Sequence, residues 1–323
     1  MIGPVTAPLL TAQPPSRVSL TSWLPAFVVL AIVWGSSFLF IKVAVAEMHP
    51  LYLTLGRCGA GALTLLVRIV IMRDRLPRDR GLWARLALLA LIGNVIPFTL
   101  FGYGEQRISS ILAGIWNGTT PLTVLLVVML FVPAERPTRQ RVAGLLVGFV
   151  GVLVVLGVWE GVGGGDLIGQ LMCFGAAVCY GFAIPYTKTI MNGRSESGLA
   201  LACGQLIAAT VELAVIAPLL AGAPPAPWQL SLGAATSLLA LGALGTGVAF
   251  VLNFRVIKVA GPTTSASVTY VVPVCATLLG VLALNEPLSW HEPVGALIVL
   301  LGVAVSQGLA VPFRRRRSVP ATT

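Results

Sequence analysis

Three ionisable side chains stand inside stretches of sequence that are otherwise apolar: Lys42, Arg57 and Glu212. On insertion scales a charge at the centre of a bilayer costs about 2.5–3.5 kcal/mol, so a charge kept there asks for a chemical reason. Glu212 is the clearest case. Gly198, Ala202, Gln205, Ala209 and Glu212 recur at steps of three and four and define one small, polar stripe, with Leu206, Leu213 and Ile216 off it. That pattern turns Glu212 toward protein or a cavity. The carboxylate then serves either to couple a proton or bind a cation, or to make a structural hydrogen bond or ion pair. Arg57 sits among Gly56, Gly59 and Gly61, which permit close helix contact, and its planar fork suits a substrate carboxylate. Lys42 lies near the outer end of its run, where its long stem either snorkels to the interface or reaches inward. Lys188 reads as a snorkelling end residue.

Neutral polar groups join these at mid-depth. Asn94 precedes Pro97; Trp116, Asn117 and Thr120 precede Pro121; Thr269 and Tyr270 precede Pro273; and Asn253 stands nearer an inner end. Pro121 and Pro273 interrupt helices, and the carbonyls they free are tolerated only where they line a cavity or meet protein. Trp34 and Tyr180 supply aromatic walls or ordinary packing. The expected substrate set is Trp34, Lys42, Arg57, Asn94, Asn117, Tyr180 and Tyr270, with Glu212 for coupling.

Other chemistries find no support. There is no HExxH or GxSxG, and the two histidines, His49 and His291, fall in outer loops. The Gly161–Gly165 loop is followed by no Lys-Ser/Thr pair, so it is no phosphate cradle. The five cysteines lie in apolar runs without metal-ligand spacing and read as small buried residues. No enzyme, cofactor or metal is expected. The chain is 57% hydrophobic and 10% charged, too apolar for a soluble domain. Its net charge of +10 invites a nucleic-acid reading. The basic residues, however, lie between apolar runs without aromatic interleaving, which marks membrane topology and no nucleic acid.

The elements that must position these residues form an all-α, polytopic membrane protein. Trp34-Gly35 and Lys42 are answered by Tyr180-Gly181 and Lys188, each 146 residues on. Pro121 is answered by Pro273 152 residues on, and Glu135, Gly144 and Gly151 by Glu286, Gly295 and Gly302 151 residues on. A nearly constant offset is the trace of a duplicated unit. Helices are expected at about 23–46, 50–72, 82–104, 108–131 and 141–159, then 167–190, 199–220, 230–254, 263–284 and 291–311. Residues 1–22 form a disordered tail, 23–159 the first repeat, 160–166 an outer linker, 167–311 the second repeat and 312–323 a basic tail. The first run, although preceded by Arg17, is too long for a signal peptide and belongs to the repeat. Gly144, Gly148 and Gly151, and likewise Gly295 and Gly302, mark close-packing faces between helices or between subunits of a homodimer.

Charge sets the orientation. Arg17, the arginines from Arg68 to Arg85, Arg136, Arg139, Arg141, Lys188, Arg194, Arg255, Lys258 and Arg314–Arg317 collect on one side; only Arg107 falls on the other. The positive-inside rule puts both termini in the cytoplasm and requires an even number of spans. Ten satisfies it, and five per half inverts the second copy.

These residues resemble the EamA family of the drug/metabolite transporter superfamily. The resemblance rests on WGSSF (Trp34 to Phe38) with Lys42, Pro50 followed by Arg57, and Pro121 leading to Glu135-Arg136-Pro137-Thr138 and Gly144. Its second-half counterpart is Pro273, Gly280, Glu286-Pro287-Leu288 and Gly295, and it spans about residues 25–308. It implies a ten-helix carrier of the bacterial inner membrane moving amino acids, other metabolites or drugs. With the inverted repeats it leads us to expect a secondary active exporter of small organic solutes, working by alternating access and driven by a proton gradient or exchange. Lys42 and Arg57 keep a sugar-phosphate or nucleotide-sugar exchanger open as the alternative, and an intramembrane enzyme or receptor is the alternative of another class.

Overall fold

The computed structural model describes residues 20–108, 110–131, 137–155, 157–160, 166–224, 226, 229–272, 274–275 and 289–306. Pro273, Glu135, Gly280, Glu286, the Gly161–Gly165 loop and most of both tails lie outside the described residues. Every described element is a helix. In chain order these are α1 (Leu24–Val45), α2 (Pro50–Met72), α3 (Arg80–Ala90), α4 (Ile96–Arg107), α5 (Ser110–Asn117), α6 (Thr120–Phe131) and α7 (Arg139–Val155). The second half supplies α8 (Leu167–Met191), α9 (Gly198–Ala221), α10 (Leu232–Gly242), α11 (Ala249–Ala260), α12 (Pro262–Ala266) and α13 (His291–Ser306). Among the described residues, six helices are long and apolar enough to cross a membrane: α1, α2, α3 running into α4, α8, α9, and α10 running into α11. α6 and Pro293–Ser306 of α13 are shorter and also apolar.

Local chemistry sets the helix starts. Asp79, Asp166, Ser197 and Ser231 each stand just before a helix and accept a backbone N–H of its first turn, at 2.9, 2.7, 2.9 and 3.1 Å. His49 does the same for α2, where Pro50 needs no partner. Two helices run further than the sequence pattern suggests. α4 continues to Arg107 and α11 to Ala260, because no breaker intervenes before Ile108 turns extended and Gly261 takes φ 88°. Glu105 therefore lies in the last turn of α4 and not in a loop, and Asn253 lies well inside its helix.

Large side chains point outward and small ones inward. Val70, Ile71, Leu219 and Leu232 are more than 70% exposed, as lipid-facing positions are. Ala200, Ala202, Cys203 and Ala209 of α9 are fully buried against its neighbours. So are Leu206 and Leu213, which the stripe reading placed off the inward face; α9 is enclosed over a broader arc, since α2 and α3 both pack on it. The glycine faces of α7 and α13 meet each other within the chain. A Cβ at Gly144 or Gly302 would run into the main chain of the opposite helix, so both must stay glycine.

Each of the two longest spans contains one wide turn. Between α3 and α4, over Leu91–Val95, the Ile96 N–H reaches five residues back to the Leu91 carbonyl. Between α10 and α11, over Ala243–Val248, the Ala249 N–H reaches the Leu244 carbonyl. Such π-turns recur at functional sites. Gly93 and Asn94 of the first stand 152 residues before Gly245 and Thr246 of the second.

Candidate substrate cavity

The first π-turn, through Gly93, borders a cavity of about 870 Å³, part of it open to solvent, bounded by residues of α1 to α6, α8, α9 and α11. Aromatic rings form much of its wall: Trp34, Phe38, Phe98, Phe101, Tyr180 and Phe250. Tyr180 stacks on Phe101 with ring centroids 6.1 Å apart. Phe98 meets Phe250, 152 residues later in the chain, edge to face at 6.5 Å.

Among the described residues that line the cavity, Arg57 alone is charged. Its guanidinium lies over the Phe98 ring, 3.8 Å from the centroid. Its Nε donates to Thr246 Oγ1 at 2.7 Å, and the Thr246 hydroxyl in turn donates to the Leu241 carbonyl, five residues back across the π-turn. This is the one hydrogen bond Arg57 makes among the described residues. One face and one edge of the guanidinium are thereby fixed, and the terminal fork has no hydrogen-bond partner among the described residues.

A second polar pair mirrors the first. Gln205 of α9 stands 148 residues after Arg57, and Thr246 stands 152 after Asn94. Arg57 bonds Thr246, and Gln205 bonds Asn94, its Nε2 donating to Asn94 Oδ1 at 2.6 Å. Each half of the chain thus reaches from one helix to the π-turn of the other. The amide pair leaves Gln205 Oε1 and Asn94 Nδ2 buried without partners among the described residues, as is the Thr120 hydroxyl. Gln205 and Thr120 both line the cavity. A buried polar atom left unpaired costs about 1–3 kcal/mol, which a ligand group would recover.

Of the expected substrate residues, Trp34, Arg57, Asn117 and Tyr180 line the cavity, as do the polar Thr120, Asn253 and Thr269 singled out beside them. Trp34 Nε1 also donates to the Gly245 carbonyl at 3.2 Å, tying α1 to a π-turn. Asn94 lies just behind the wall, held by Gln205. Lys42 does not line it; its ammonium donates to the Glu105 carbonyl in the last turn of α4, at 2.9 Å. Tyr270 is fully buried between helices, its ring against Gly148. Glu212 is half-buried and lies at the border of the enclosed arc beside exposed Val211 and Val215, away from the cavity. Its Oε2 is buried without a partner among the described residues. Pro121 opens α6 after a break at Gly118–Thr119.

Sequence reasoning missed Phe98 and Gln205 as cavity groups, Thr246 as the partner of Arg57, and Glu105 as a buried carboxylate. Gln205 was within reach, since it shares the polar stripe with Glu212. A π-turn leaves no periodic signal, so Thr246 was not.

Two segments, residues 21–157 and 167–307, match the model of the EamA-like transporter family. The chain belongs to that family. It is a multi-pass membrane protein, and its general role is membrane transport. The chain is 25% identical to the uncharacterized transporter YoaV of Bacillus subtilis over 89% of its own length and 96% of that protein. It is 26% identical to the uncharacterized inner membrane transporter YedA of Escherichia coli K12, over 87% and 89% of the two chains. To Protein PecM of Dickeya dadantii it is 22% identical, over 89% and 93%. A solved crystal structure shares the fold with a TM-score of 0.73 at 22% identity, covering 91% of this EamA chain and all of the other.

Proposed function

We propose that this EamA chain is a secondary active transporter of small organic metabolites, an exporter in the bacterial inner membrane with both termini in the cytoplasm. It crosses the membrane ten times, α5 with α6, α7, the stretch from α12 and α13 adding four crossings to the six long spans. The two five-helix halves are inverted repeats, and alternating access comes from one half rocking against the other around the cavity. Supporting this are the paired offsets of Arg57 with Gln205 and of Asn94 with Thr246, each bonding across the halves. The relative named an inner membrane transporter supports the location.

The cavity carries the substrate reading. It offers one guanidinium fork, unpaired neutral polar atoms and aromatic walls. Such a lining suits an amino acid, a related carboxylate or an amphipathic drug. A sugar-phosphate or nucleotide-sugar exchanger is the weaker reading, because Lys42, the second cation it would use, lies outside the described lining. Energy comes from a proton gradient or exchange, and Glu212 is a candidate carboxylate for the coupling. Comparing metabolites released by cells with and without the protein, then measuring flux of the enriched solute in proteoliposomes, tests the reading. Equal release from both cell lines would overturn the export reading.

A further inference from the structure

One face of α4 carries three residues at i, i+3 and i+7: Phe98, Phe101 and Glu105. The first holds Arg57, the second holds Tyr180, and both line the cavity. Glu105 follows one turn further toward the outer end. It is 0% exposed, and neither carboxylate oxygen has a hydrogen-bond partner among the described residues.

An ionised carboxylate in such a setting lacks both water and protein to stabilise it, and neutralises instead. The groups around it do not serve as partners. From α1, the Lys42 ammonium donates to the backbone carbonyl of Glu105 and makes no ion pair with its carboxylate. From α2, Arg57 spends its bond on Thr246, and His49 faces Tyr103 at 3.2 Å. From α8 comes the thiol of Cys173, packed on Gly104. On α4 itself Arg107 is taken by Asp166 at 2.5 Å. α5 offers no titratable side chain. Lys42 is exposed, so a cation in touch with the outer side waits beside a buried, unpaired acid.

We propose that Glu105 is a proton-binding site one helical turn beyond the cavity wall at Phe101, toward the outer end, and that Lys42 replaces the proton when that end opens. In the closed arrangement the carboxyl keeps its proton. On opening, the proton passes to outer water and the Lys42 ammonium moves from the Glu105 carbonyl to the carboxylate. The site adds to the proton-driven reading above, which named only Glu212.

An infrared pH titration of the full chain in lipid nanodiscs tests the site without needing a substrate. The parent should show a protonated-carboxyl C=O band that disappears as pH rises. That band should be lost in Glu105→Gln and kept in Glu212→Gln. If Glu105→Gln does not accumulate, Glu105→Asp should move the band. A band unchanged by either substitution at 105 overturns the proposal, as does its absence from the parent. Lys42→Gln should move the pH at which the band disappears upward; no movement removes Lys42 from the scheme. If the band behaves as expected but proteoliposome flux ignores a pH gradient, the gradient-driven reading fails and the proton site stands.

Discussion

Arg57 is held by one ring face and one hydroxyl, which leaves its fork pre-positioned. Arg57→Lys keeps the charge and loses the fork, so flux of the cognate solute should fall about tenfold or more while membrane abundance holds, as for a lost charged hydrogen bond of about 1.5–3 kcal/mol. If Arg57→Gln carries solute at the parental rate, no anion contacts this side chain. Glu212→Gln is the companion experiment. It mimics the protonated acid, so gradient-driven flux should vanish while solute exchange persists; a structural role would instead damage both, with a lower melting temperature. At this scale the sequence was informative where glycines flagged Arg57 for close contact. It was silent where a partner depends on backbone irregularity, as Thr246 does. Glu105 was hidden for a simpler reason: nothing before Ile108 stops α4, so a residue expected in a loop is carried inside.

Between elements, α7 and α13 press main chain against main chain through Gly144 and Gly302. Gly144→Leu should lower stability by about 1–3 kcal/mol, the usual cost of overpacking, measured as a fall in thermal midpoint in detergent. Gly59→Ala is the control, since a Cβ there meets only Thr210 Cγ2 at 3.7 Å. Asp166 both caps α8 and pairs with Arg107 of α4. Those hydrogen bonds, Arg107 first, hold its acid below the ordinary aspartate range. A depressed folded value means the contribution is full above the unfolded value of about 3.9 and is lost as pH falls through the folded one. Melting temperature should therefore show no effect of this pair between neutral pH and about pH 5 and a small decline further down, absent in Asp166→Asn. The six long spans were readable from apolar runs, whereas the expected 108–131 helix is broken at Gly118–Thr119 and much of the expected 263–284 helix lies outside the described residues. The glycine faces left open whether they served helices or subunits, because spacing shows a surface and not its partner.

For the whole molecule, the orientation rests on where basic residues gather. In a cysteine-free background, Ala223→Cys in the turn after α9 should react with a membrane-impermeant thiol reagent on intact cells, and Asn192→Cys after α8 should not. Swapped labelling reverses the orientation, and labelling of both removes the span between them. The duplication was legible because offsets survive divergence in apolar sequence. What the offsets could not show is that the halves bind each other at their wide turns, since that pairing exists only after both have folded.

Each wide turn is one residue taken up without ending the helix. A regular helix turns about 100° per residue, so drawing this turn into a regular α-helix with every residue kept would rotate Phe98, Phe101 and Glu105 together by about that angle relative to α3. Arg57 would lose the ring it rests on, and the unpaired acid would face a new neighbour. What the cavity presents to a solute is therefore a matter of phase. A chain whose helix ran without the wide turn before Phe98, with no residue removed, would build a similar bundle with a different interior.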